Sequence, residues 1–366
     1  MARQELNELS TSQSAGRFAL EALAREALHS GDFENARIYS SKLEGRPDQS
    51  WNDRLLELEA AFHTAAFRDR LADLQQRSVT DLGNRVALAY WMIGHGLAKE
   101  VTEWLDARGK SVPIPLQMAR ADAFRAQQNW PELREMLEPE DWAANDFIRK
   151  GLLALCARNE PAFQDRWQEA VRSVQGDPER KFRLGQLVSS WGWYDEGSRL
   201  LWSITDASPI WRSSALGELW RNGVLERNAA AMLRVAAERY HDSPENTGAK
   251  NNYAFLLLLL DLNESRAQRL AREAWTDAPL QPDIAATYAF ASYKEGRIED
   301  GIKAMEQLAE RYRTEPGIAL YYAALLAEEG HREEASRYLA LSDGSPRLLA
   351  EEHALAKEIK SKIAPH

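Results

Sequence analysis

The sequence predicts an all-α fold, an α-solenoid of about ten helix–turn–helix hairpins ending in a capping helix, and three observations predict it. Matching residues recur at an interval of 34: Gly296 and Gly330, Gly301 and Ala335, Met305 and Leu339. A period of about 34 residues is that of a two-helix unit, which cannot bury its apolar face alone and so stacks on its neighbours. Within each unit the apolar and small positions follow the 3.6-residue helical period on both sides of a glycine. Prolines then punctuate the chain at Pro47, Pro178, Pro209, Pro244 and Pro279, where a ring without an N–H closes one unit.

The chain opens on a polar segment, residues 1–17. Residues 18–47 form a first unit. Leu20, Leu23, Ala24 and Ala27 make one helical face, Gly31 the turn, and Phe33, Ala36, Ser40 and Leu43 the second face. Residues 51–78 continue as two helices around Leu55, Leu58 and Phe62, then Phe67, Leu71 and Leu74. Residues 86–105 read as a hairpin broken at Gly94-His95-Gly96. Residues 110–115 read as a loop, because Pro113 and Pro115 end helices. Residues 116–137 and 142–174 give two further hairpins, tryptophan-rich and irregular.

The pattern sharpens at Pro178. Gly185 stands 12 residues before Gly197 and Gly217 stands 12 before Ala229, while Ala254 stands 13 before Ala267, a one-residue insertion in the turn. In the clearest copies, Ala285, Tyr288, Ala289 and Ser292 share a face, Gly296 breaks the helix, and Ile298, Gly301, Met305 and Leu308 share the next. Ala319, Tyr322, Ala323 and Leu326, then Gly330, Ala335 and Leu339, repeat it. Small residues such as Ala289 and Gly301 let the two helices of a hairpin approach closely. Residues 347–363 read as a last helix, charged on one side, as suits a solubilising cap. The domain division expected is 1–17, 18–177 with degenerate repeats after the first, 178–345 with regular ones, and 346–366 as cap and tail.

The small pairs Ala289/Gly301 and Ala323/Ala335, with tyrosine on the first helix and the interval of 34, resemble the tetratricopeptide repeat (TPR) family. The tryptophan of the family motif is replaced by Ala285 and Ala319. The resemblance covers most of the chain, strongly at both ends and weakly over about residues 51–177. It implies a right-handed superhelix that binds a protein or peptide along a concave groove of first helices.

Composition limits the alternatives. The formal net charge of −10 argues against duplex nucleic acid, which needs a basic surface. No apolar run reaches the ~20 residues of a membrane span; the longest, residues 255–260, reads as a buried helix. The polar N-terminus lacks the apolar core of a signal peptide, so the chain as written reads as cytoplasmic. Tethering to a membrane, or a periplasmic location, follows if a preceding segment has been removed. The single cysteine, Cys156, excludes a disulfide framework and reads as a small core residue. No nucleophile, phosphate-loop or zinc motif is present, and the seven histidines are scattered, with His95 reading as a turn residue. No catalytic residue, cofactor or metal is therefore assigned. Acidic pairs such as Glu333-Glu334 and Glu351-Glu352 read as solvated helix faces.

The candidate groove follows from the resemblance and the helical period together. Positions six and three before, and one and four after, each small residue form a stripe distinct from the packing stripe. That stripe, with the adjacent positions Arg183 and Asn252, gives Arg183, Gln186, Trp211, Arg221, Asn251, Asn252, Phe255, Phe290 and Tyr293 as the expected peptide-binding residues. Of six tryptophans between Trp167 and Trp220 only Trp211 falls on it, and the others read as filling between hairpins. Some members of the family clamp a carboxylate with Lys, Asn and Arg on successive repeats. Asn252 occupies one such position, but Thr287 stands at the next, so that clamp is not expected. The leading expectation is a non-enzymatic scaffold for a protein or peptide. The alternative is a helical accessory region of a bacterial cell-envelope or secretion assembly whose catalytic part lies elsewhere. A reader of single-stranded RNA would need a basic groove, whereas this one carries Glu179, Glu218 and Asp283. The sequence assigns no oligomeric state.

Overall fold

In the computed structural model, residues 2–12, 15–106 and 112–364 are described, and among them every regular element is a helix. The chain divides into two units, residues 1–166 and 167–366. The first holds α1 (Ala2–Leu9) and four hairpins: α2/α3 (Gly16–His29, Phe33–Ser41), α4/α5 (Trp51–Ala61, Phe67–Arg77), α6/α7 (Leu82–Gly94, Ala98–Trp104) and α8/α9 (Ile114–Ala126, Trp130–Leu137). Next come α10 (Asp146–Cys156) and α11 (Phe163–Ser173), within which the division falls. The second unit continues with α12/α13 (Pro178–Ser190, Tyr194–Thr205), α14/α15 (Pro209–Glu226, Ala229–Asp242), α16/α17 (Thr247–Leu259, Glu264–Asp277) and α18/α19 (Pro282–Lys294, Ile298–Glu306). A single turn, α20 (Glu310–Arg313), precedes α21/α22 (Pro316–Glu329, Arg332–Ser342) and α23 (Ala350–Ile363). Nine hairpins lie within the units, and α10 with α11 supplies a tenth helix pair in sequence, in line with the spacing.

Local chemistry places the helix starts. Asp81, Asp177, Asn228 and Asn246 each accept a backbone N–H three residues on, and proline occupies the first turn of α12, α14, α18 and α21. Gly330 closes α21 with φ +93°, a left-handed residue that costs glycine little. In the longer turn between α16 and α17 the same task falls to Asp261 and Asn263, at φ +52° and +45°, residue types that tolerate this region. The inserted residue is thus absorbed in the turn, and both helices keep their faces.

Close approach between helices is built on the small residues. A Cβ on Gly197 would collide with the Ser189 hydroxyl and stand 2.9 Å from the carbonyl oxygen of Gly185. A Cβ on Gly301 would lie 2.7 Å from Leu325 on the following first helix. In the second unit each second helix also touches the next first helix, as α13 touches α14 and α15 touches α16. One apolar cluster runs from Ala229 to Ile359, whereas the first unit holds separate clusters, one around Leu58, Leu88 and Met92 and smaller ones around Leu20 and Ala27.

The structure corrects three local expectations and adds a helix to the polar opening. The polar opening is itself helical and packs on α2, with Arg3 facing Asp32 and Asn7 accepting from the Tyr39 hydroxyl. Of the loop expected at 110–115, Lys110 and Ser111 lie outside the described residues. Pro115 sits in the first turn of α8 rather than before it, where its missing N–H has no helical partner to lose. Phe33, expected on a buried face, is exposed. The final helix begins at Ala350, three residues later than expected, and buries Ile359 completely.

Candidate binding groove

Successive first helices of the second unit meet directly: α12 meets α14, α16 meets α18, and α18 meets α21, against which α23 packs. This contact decides where the expected stripe lies. Phe290 is 2% exposed and wedged against Tyr321, ring centroids 4.6 Å apart, so it is a packing residue between α18 and α21. The stripe is therefore not distinct from the packing surface at Phe290, because neighbouring first helices press together there. Tyr293 stacks beside it at 6.5 Å, and its hydroxyl accepts from Lys362 of α23 at 3.4 Å. Burial raises the Tyr293 phenol above its usual range.

Four expected residues gather on α12 and α14. Trp211 is half-buried and packs on Phe182 at 5.1 Å. Gln186 donates to Glu218 at 3.0 Å, and Arg221 grips the same carboxylate at 2.5 Å. Arg183 pairs with Glu179 at 2.6 Å. All three polar residues are thus engaged within the fold, Arg183 and Gln186 in exposed pairs of small energetic weight and Arg221 in a half-buried one.

The remaining three come together in a cavity. Asn251, Asn252 and Phe255 of α16 line a space of about 240 Å³, bounded also by Trp220 of α14, Ile318 and Tyr321 of α21, and Glu352 of α23. Phe255 meets Tyr321 edge to face at 6.1 Å. Asn251 is 4% exposed, and its Oδ1 has no hydrogen-bond partner, which is costly for a buried amide. Glu352 is 6% exposed. Its two oxygens accept from the Tyr321 hydroxyl at 2.6 Å and from the Leu349 N–H at 2.8 Å. Burial pushes its carboxyl up from the usual range, the two hydrogen bonds opposing. Asp283 on α18 completes the rim, and Thr287 behind it spends its hydroxyl on the Asp283 carbonyl at 2.9 Å.

Trp220, Tyr321 and Glu352 were missed as groove residues. Trp220 lies off the stripe, and Glu352 belongs to a pair read as solvated. The signal for Glu352 was its place three residues after Leu349, where a first-turn glutamate turns back to cap its own helix. His95 ends α6 as expected, stacked on Trp91 at 3.9 Å, and Cys156 is buried with its thiol pushed up to about 11, chiefly by burial. Among the described residues no three His, Cys, Asp or Glu are grouped to hold a metal, and no helix is long and apolar enough to cross a membrane.

Two-helix units, joined through glycine or alanine at the close contact and repeating at 34 residues, settle the architecture of the regular repeats. This is a TPR-like fold. No protein-family model matches the chain, and no curated protein matches it. Solved structures that resemble it include a tetratricopeptide repeat protein from Parabacteroides merdae, 11% identical, covering 68% of this chain and 97% of that one at a TM-score of 0.39. Yeast Tom70 is 13% identical over 94% and 89% of the two chains, TM-score 0.33. The APC/C hetero-tetramer Cut9–Hcn1 gives 14%, 98%, 78% and 0.30. The hairpin geometry, and not these distant likenesses, carries the TPR-like assignment.

Proposed function

We propose that the chain is a non-enzymatic scaffold that binds a protein or peptide segment in the groove of its second unit. The observation that carries this reading is the cavity beside α16, where Asn251, Asn252, Asp283 and Glu352 converge with the aromatic Trp220, Phe255 and Tyr321. Binding sites of this kind combine an apolar lining with a few convergent polar groups. The absence of a catalytic motif in the sequence favours binding over chemistry, and the acidic net charge favours a protein over a duplex.

A photo-crosslinking amino acid placed at Asn252, half-buried at the cavity, tests this against one placed at Arg269, whose side chain is 61% exposed on α17. In lysate, position 252 should yield discrete crosslinked protein adducts that position 269 does not. Equal adducts at both positions, or none at 252, would overturn the reading.

A further inference from the structure

Resting on that binding reading, the geometry points to a basic side chain, a lysine or arginine of the bound segment, as the group that enters the cavity between Trp220, Phe255 and Tyr321. The lining contains two carboxylates, Asp283 and Glu352, and no basic residue. The rest of the wall is aromatic, aliphatic or neutral. At about 240 Å³ the space is below the roughly 300–1,000 Å³ of pockets that enclose a whole small molecule, and it suits a single long side chain.

Both parts of such a side chain find a match. Its methylene stem lies against apolar surface as lysine and arginine stems do elsewhere. Its head is a pure hydrogen-bond donor, and the carboxylates of the lining, Asp283 and Glu352, are acceptors. Asn251 needs no backbone movement to serve, because a half-turn about its χ2 exchanges amide oxygen and nitrogen, and that torsion is broadly two-fold. The aromatic faces add cation–π attraction. The Trp220 indole already carries one guanidinium, that of Arg239, 5.6 Å from its centroid, so Phe255 and Tyr321 are the rings left for a second cation. An acidic side chain or a chain-terminal carboxylate would instead meet Asp283 and Glu352 with like charge, in a chain of net charge −10.

The probe is a random dodecapeptide library displayed on phage and selected on the full chain, with the strongest binders remade as fluorescein-labelled peptides and titrated by polarisation. Selected peptides should share a lysine or arginine. Replacing it by norleucine or citrulline should weaken binding about tenfold or more, as loss of one partner of an enclosed charge pair does. Asp283→Lys should weaken the same peptides by a similar factor. Asp283 is exposed, so that variant should melt like the parent. Asn251→Asp should tighten them. Binders with no shared basic residue, or basic binders indifferent to Asp283→Lys and Asn251→Asp, overturn the assignment and leave the scaffold reading standing. A selection that enriches no peptide overturns both.

Discussion

At the scale of single residues, tolerance is set by what surrounds each Cα. Gly197 has no room for a methyl group, since Ser189 and the backbone of Gly185 occupy its place. Gly197→Ala should therefore cost about 1–3 kcal/mol through overpacking, read as a lower urea midpoint; an unchanged midpoint would mean that the two helices separate freely. Glu57 is a different case. Burial, then the nearby Glu44, pushes its carboxyl up to about 7 despite Arg70 and a hydrogen bond from Gln49. The folded chain thus holds a proton that the unfolded chain releases in the usual glutamate range. Stability from this site is greatest at acid pH and is lost as pH rises through that range to about 7, a change of the order of 2–3 kcal/mol. Glu57→Gln should flatten the dependence of the urea midpoint between pH 5 and 8, and an identical slope in both proteins would refute the assignment. Gly197 was legible in the sequence because it recurs at a fixed offset. Glu57 was not, because nothing in its neighbours along the chain announces that Gln49 and Arg70 fold over it.

At the scale of elements, α23 does more than shield the end of the array. It supplies Glu352 to the cavity, Lys362 to Tyr293 and Ile359 to the core. Deleting residues 350–366 leaves the Tyr321 hydroxyl without its acceptor and uncovers the apolar face of α21. Such a truncation should lower Tm by more than about 5 °C and raise binding of a hydrophobic dye. A truncated chain that melts like the parent would mean that α23 is only a surface appendage. The helices themselves were readable from periodicity, turn glycines and prolines. The groove was readable only in part, because the stripe rule treats each hairpin alone. Phe290 points where the rule says, but α21 stands there, and Tyr321 and Glu352 enter the cavity from elements that the rule does not connect to α16.

At the scale of the molecule, stability should be uneven. Contacts in stacked hairpins are between neighbours, so cooperativity has no single core to spread through. Among the described residues, the second unit holds one large apolar cluster, from Ala229 to Ile359, beside a smaller one around Leu201 and Leu216, whereas the first unit's clusters are all smaller than the large one. Hydrogen exchange should accordingly be fastest over residues 51–177 and slowest around residues 282–340. Slowest exchange in the earlier stretch, or one sharp transition seen alike by fluorescence and circular dichroism, would contradict this picture.

The meeting of Gly301 with Leu325 makes the regular end of the chain something like interchangeable masonry. Residues 282–315 form one course, opening on Pro282 as the next opens on Pro316. A duplicated course laid between them would present Ala291, not Leu325, to the upstream glycine. That joint would be loose by the volume of an isobutyl group less a methyl. Changing that alanine to leucine in the inserted copy would restore this contact, but Phe290 would then face Thr287 of the copy in place of Tyr321, so lengthening the chain by 34 residues calls for side chains tailored at more than one position of each new joint.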